Sequence, residues 1–204
     1  DMSAARAHLG TIPNLDPRKD NLTAPLVTLN TTAGKCQLIS EQNTSRLFGD
    51  VMKQINQLTM RMVVKAQPMF DEKLEAEYQQ TLRDAAKERF DAIIADQKRL
   101  LEPGNFDEQR LNFLSAHRDK AAEEIQSHGK LMMEALDRRL ALQKEFTHDI
   151  LLESEPIVLA QIPLIAALRS ELELQTDISE LTARMTGGLK DMQETYRQTI
   201  DSMS

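Results

Sequence analysis

The chain has 204 residues, 41% of them hydrophobic and 28% charged, with a formal net charge of −7 and one cysteine. Only 4% aromatic residues, with seven glycines and seven prolines, argue against a β-sandwich or barrel, and a lone Cys36 excludes an intrachain disulfide framework or a cysteine-rich zinc site. The charge is unevenly spread: residues 1–97 hold twelve basic against thirteen acidic groups, 98–144 nine against eight, and 145–204 four against eleven, so the middle is the part able to present a basic face.

Residues 1–39 contain Pro13, Pro17, Pro25 and a Thr/Asn-rich stretch, which predicts a flexible or loosely packed N-terminal arm with Leu26, Val27 and Leu29 available to lie on a neighbour. Asn-x-Ser/Thr sequons begin at Asn21, Asn30 and Asn43. Residues 40–204 are expected to form one elongated helical domain, since from Val51 to Thr186 only Gly104 and Gly129 interrupt a run of strong helix formers. Ser40 is placed to cap a helix to about Ala66, striped by Leu47, Val51, Ile55, Leu58 and Met62. Pro68 then either opens a new helix or kinks a long one. Phe70, Leu74, Tyr78, Leu82, Ala85, Ile93 and Leu100 continue at helical spacing.

Glu102-Pro-Gly-Asn105 ends or bends that helix, and Asn105 with Glu108 three residues on is a cap signature for the next. This helix carries Leu111, Leu114, Ala121, Ile125, Met132, Leu136, Leu140 and Phe146. Pro156 opens another, striped by Leu159, Ile162, Ile165, Leu168, Leu172, Ile178, Leu181 and Met185, and Gly187-Gly188 closes it before a short amphipathic tail. The start of the chain shows no signal-peptide pattern. No unbroken apolar run reaches the ~18–20 residues of a membrane span, the longest being Ile157–Leu168. The expected fold is all-α, a long antiparallel coiled-coil-like bundle that self-associates to cover narrow apolar stripes.

Chemistry is sparse. Glu145-Phe-Thr-His148 has the Glu-x-x-His spacing of di-iron bundles, but a site needs a second such pair, and His8, His117 and His128 have no glutamate three residues before them. No Gly-rich phosphate loop, His-Glu-x-x-His or Gly-x-Ser-x-Gly motif occurs. Cys36 sits in a loop-like stretch without an adjacent base. No catalytic residue, metal or cofactor is expected, so the protein reads as a non-enzyme. Residues 107–144 lack the interleaved aromatics of a nucleic-acid surface, and nucleic acid is not expected as a partner.

The segment His148-Asp-Ile-Leu-Leu-Glu-Ser-Glu-Pro-Ile-Val-Leu-Ala-Gln-Ile-Pro-Leu-Ile-Ala-Ala-Leu168 resembles the last long helix of the BAR domains of amphiphysin, endophilin and Rho-exchange-factor relatives. Phe146, Leu151, Leu152, Glu153, Pro156, Ile162 and Pro163 carry the likeness, and Asp177–Met185 looks like the family's closing segment. Upstream, Arg99-Leu-Leu-Glu-Pro103 is similar to the kink of the family's second helix, and His117-Arg-Asp-Lys120 to the basic stretch beyond it. Ser127-His-Gly-Lys130 resembles a shortened tip turn, which makes 107–152 a hairpin broken at Gly129 where periodicity alone also allows one rod. The tip is shorter and the lysine run thinner than in the family.

The resemblance implies a crescent three-helix homodimer, peripheral to membranes on the cytoplasmic side as in endocytosis, that senses or shapes curvature. Its basic concave face would rest on anionic lipid, with Lys98, Arg99, Arg110, Arg118, Lys120, Lys130, Arg138 and Arg139 as membrane contacts. Leu47, Leu58, Ile157, Leu164 and Leu168 would contribute to the dimer interface. The alternative is a soluble helical scaffold or adaptor that binds protein partners without touching lipid. A third reading, a helical sensor or secreted effector, draws only on the sequons and the arm.

Overall fold

The computed structural model describes residues 11–12, 24–103 and 105–202. His8, Pro13, Pro17, the Asn21 sequon and Gly104 lie outside the described residues. Among those described, the structure consists of helices α1 (Ala24–Ile39), α2 (Gln42–Leu100), α3 (Glu108–Glu153), α4 (Glu155–Glu171) and α5 (Ile178–Ser202), with no strand. The all-α expectation holds. Packing divides the chain into two compact units: the described residues up to Gln67 with those from Gln143 onward, and Pro68–Leu142.

In the first unit, residues 24–39 are helical and packed. Leu26, Leu29 and Ala33, at steps of three and four, are buried, whereas Val27 points to solvent. Asn30 and Asn56 exchange amide hydrogen bonds of 3.2 and 3.3 Å, and the Gln37 Nε2 donates to the Ser45 carbonyl at 3.2 Å, which ties α1 to α2. Thr31 and Thr32 satisfy their hydroxyls on carbonyls four residues back, so they sit inside a helix without orphaned groups. Cys36 is therefore helical and not in a loop. Ser40 closes α1, its N–H and Oγ both donating to the Cys36 carbonyl, instead of capping α2. The Glu41 N–H donates to Glu171 Oε1 at 3.1 Å. The core stripe of α2 is Val51, Ile55, Leu58, Met62 and Ala66 as its spacing predicts.

Helix α2 runs through Pro68 without a break in assignment; the proline has no N–H to give the Val64 carbonyl. Helix α3 starts two residues later than Asn105 suggests, because Asp107 is the cap: its Oδ1 accepts from the Arg110 N–H at 3.0 Å. It continues unbroken through Gly129, so the tip turn drawn from the BAR resemblance is absent there, and the reversal lies at 101–107. A Cβ at Gly129 would meet only the Arg83 Cδ, at 3.9 Å. Gly129→Ala is accordingly expected to raise the unfolding free energy by up to about 1 kcal/mol in urea denaturation; a loss of stability would place the residue in a turn.

Pro156 does open a helix, sitting in the first turn of α4 after a junction at Ser154, whose N–H bonds to the Ile150 carbonyl at 3.0 Å. That helix does not extend to Gly187-Gly188. Glu173 adopts φ 56°, with its N–H on the Ser170 carbonyl (3.0 Å) and the Leu174 N–H on the Arg169 carbonyl (2.8 Å), the paired bonds of a left-handed helix stop. Asp177 then caps α5 by accepting from the Glu180 N–H at 3.0 Å, and α5 passes straight through both glycines. The helical stretch Glu108–Glu171 also contains an 18-residue window of mean hydropathy 1.6, long and apolar enough to cross a membrane by length and composition, of which 39% is buried within the chain. Gln161 and Pro163 interrupt the longest apolar run, Ile157–Leu168, so no unbroken run reaches that length.

Candidate functional site

The second unit is a helical hairpin, 68–100 of α2 against 108–142 of α3. Its cross-helix pairs run in opposite directions: Glu72 with Arg138, Gln79 with His128, Arg89 with Glu124 and Gln97 with Ser115. Met69 and Phe70 are buried at one end, and Leu100 and Leu114 at the other. Between them the fully buried residues are Ala76, Gln79, Ala86, Gln97, Ala121 and Ala135. The two glutamines are satisfied across the seam. Gln97 Nε2 donates to Ser115 Oγ at 3.0 Å, and Gln79 Oε1, an acceptor only, lies 2.7 Å from His128 Nδ1, which therefore carries the hydrogen.

The buried positions between the two ends of the hairpin are thus small or polar, Leu82, Ile93, Leu111, Ile125 and Met132 are half-buried, and several other large apolar side chains are exposed. Leu74 and Tyr78 (58% exposed) stand one turn apart on α2, and Met133, Leu136 and Leu140 (51% exposed) recur at i, i+3 and i+7 on α3. Of the stripes expected to face inward, Phe70, Leu100, Leu114 and Ala121 are buried and Leu82, Ile93, Leu111, Ile125 and Met132 half-buried, whereas Leu74, Tyr78, Leu136 and Leu140 are exposed. Phe113 is exposed as well, its ring 4.2 Å from that of His117.

All eight predicted membrane-contact residues fall in this unit. At 100° per residue Arg110, Arg118, Lys120, Arg138 and Arg139 share one arc of roughly 160° around α3, and Lys130 lies outside it. Four of the eight are paired with carboxylates: Arg99 with Asp96 (3.3 Å), Arg118 with Asp119 (2.7 Å), Lys130 with Glu134 (3.8 Å) and Arg138 with Glu72 (2.9 Å). The Glu72 bond holds the Arg138 guanidinium above its ordinary value. Arg139 also has an interaction partner. Lys98, Arg110 and Lys120 make no ion pair among the described residues.

Of the residues assigned to a dimer interface, Leu58, Ile157 and Leu164 are buried inside the single chain, and Leu47 and Leu168 are half-buried. Side chains already covered by their own chain have no surface left for a partner. Nearby, Arg61 and Lys65 on α2 clamp the end of α3: Arg61 to Glu153 (2.6 Å), Lys65 to Asp149 (2.6 Å) and to Glu153 (2.9 Å). The bonds to Asp149 and then Glu153 raise the Lys65 ammonium, and the Lys65 bond above all lowers the Glu153 carboxyl against the opposing effect of burial. Every member is a fixed charge spent on joining helices.

The Glu145–His148 pair gains no metal-ligand company. Among the described residues no group of three or more His, Cys, Asp or Glu is placed to hold a metal ion. His148 instead lines a cleft of about 320 Å³ with Lys144, Leu151 and Leu152 on α3 and Gln193, Tyr196 and Arg197 on α5. The Tyr196 hydroxyl donates to the Lys144 carbonyl at 2.6 Å, and burial pushes its pKa up. Sequence reasoning missed Tyr196 and Arg197; the only signal was a tyrosine in a chain with two. Comparison with protein-family models, with curated proteins and with solved structures finds no match to this chain.

Proposed function

We propose that the protein is a non-enzymatic helical scaffold that associates with helices of protein partners, a second copy of itself first, through the outward apolar stripes of the 68–142 hairpin. The observation that carries this reading is the row of apolar side chains the hairpin leaves uncovered: Leu74, Tyr78, Met133, Leu136 and Leu140 are exposed at helical spacing. Full burial of such a side chain contributes about 1.5–3 kcal/mol, and a stripe three residues long at this spacing matches the width of one partner helix.

Light scattering at rising protein concentration is expected to give a mass above the 23.1 kDa of one chain. Leu136→Glu with Leu140→Glu should return it to one chain with unchanged helical circular dichroism, because both side chains are exposed. A wild type that keeps the monomer mass at every concentration overturns self-association. The membrane-curvature reading implied by the BAR resemblance has a narrower support in Lys98, Arg110 and Lys120, each worth about 1 kcal/mol beside anionic lipid. It gains the argument if the wild type sediments with phosphatidylserine vesicles and reversal of those three charges abolishes it.

A further inference from the structure

The cleft between α3 and α5 differs from the rest of the molecule in its charge. The segment 145–204 holds four basic against eleven acidic residues, yet among the described residues no carboxylate lines this cleft. Lys144, His148 and Arg197 line it, and none of these three side chains has a hydrogen-bond or ion-pair partner among the described residues. Of the carboxylates close by in sequence, Asp149 is engaged by Lys65 and Glu194 by the Gln198 amide at 3.1 Å, while Glu145, exposed beside Lys144, is not in the cleft lining. The floor is apolar, with Leu151 buried, Leu152 half-exposed and the Tyr196 ring half-buried. Because the Tyr196 hydroxyl is committed to the Lys144 carbonyl, the ring offers its apolar body and not its polar tip. The bond also anchors the two walls to one another.

We propose that this cleft binds a small amphipathic anion, an aliphatic carboxylate whose chain lies on Leu151, Leu152 and Tyr196 while its head group is met by Lys144, His148 and Arg197. The cleft's 320 Å³ is at the low end of the ~300–1,000 Å³ of small-ligand sites and holds roughly ten methylene-sized groups at about 30 Å³ each. Unpaired cations on an apolar floor favour a ligand bearing both characters, since a bare anion leaves the floor wet and a bare alkane leaves the cations unanswered.

The test is titration of the full chain with sodium decanoate below its micelle concentration, followed by calorimetry and amide chemical shifts, beside decanol and decyltrimethylammonium. One decanoate per chain is expected, with shifts confined to 144–152 and 193–197 and at least tenfold weaker binding of the other two amphiphiles. Lys144→Gln with Arg197→Gln leaves the apolar floor in place and should weaken decanoate at least tenfold while the circular dichroism melt is retained. Equal affinity for decanol and decanoate, an unaffected double variant, or shifts scattered over the helices overturns the proposal. Its outcome is independent of whether the hairpin stripes associate.

Discussion

Replacing Leu58 by Ala is expected to lower the unfolding free energy by about 3 kcal/mol, within the 2–5 kcal/mol range for leucines truncated in a closed core. Leu58 is 1% exposed on the inner stripe of α2, in the unit that also buries Met62, Phe146, Ile157, Val158, Ile162 and Leu164. Truncation removes the apolar transfer term and leaves a cavity that long rigid helices collapse into poorly. Urea denaturation at several protein concentrations measures it. A midpoint that falls by the same amount at every concentration identifies a residue of the single-chain core, whereas a loss that grows on dilution would return Leu58 to an interface between copies.

Ala135→Leu tests the seam by the opposite insult. Ala135 has no exposed surface, and the buried positions along this stretch are alanines and glutamines, with Ile125 and Met132 half-buried. Three added carbons have nowhere to go without pushing α2 and α3 apart and straining the neighbouring Gln79–His128 and Glu72–Arg138 pairs. The expected loss is about 3 kcal/mol, the upper part of the range for overpacked sites, read as a drop in the urea midpoint. Leu136→Ala, one position along and facing outward, should cost well under 1 kcal/mol in the same assay. Equal losses at the two positions would mean that the inside and outside of α3 have been assigned the wrong way round.

The helical class was legible in the sequence because it rests on composition and on apolar spacing, which survive local errors. What was not legible has identifiable causes. Part of the seam was misplaced because alanine adds little to an apolar stripe, so Leu74, Tyr78, Leu136 and Leu140 outweighed Ala76, Ala86 and Ala135 in the pattern, while Leu114 and Ala121 were placed inside correctly. Geometry favours the small residues, which let backbones approach. The stop after α4 was missed because a left-handed position usually advertises itself as glycine and here is Glu173, while Gly187 and Gly188, which look like a stop, simply sit in α5. The Asp177–Glu180 cap was available as a pattern and would have placed the start of α5 correctly. Asp107 was likewise readable as a cap, only two residues beyond Asn105. The cleft was beyond reach, since Lys144 and Arg197 meet only through tertiary packing.

The division at Gln67/Pro68 and Leu142/Gln143 also sets an order of events when the chain folds. The hairpin is one contiguous stretch whose partners are joined through a short reversal at 101–107, so its contacts cost little loop entropy. The other unit draws on segments from either side of that stretch and must close it as a loop. A formed hairpin has already done so, because Glu72 and Arg138, close to its two ends, stand 2.9 Å apart. The 68–142 segment is therefore expected to form first and the larger core to follow. Ala135→Leu belongs on the refolding limb of a chevron plot and Leu58→Ala on the unfolding limb.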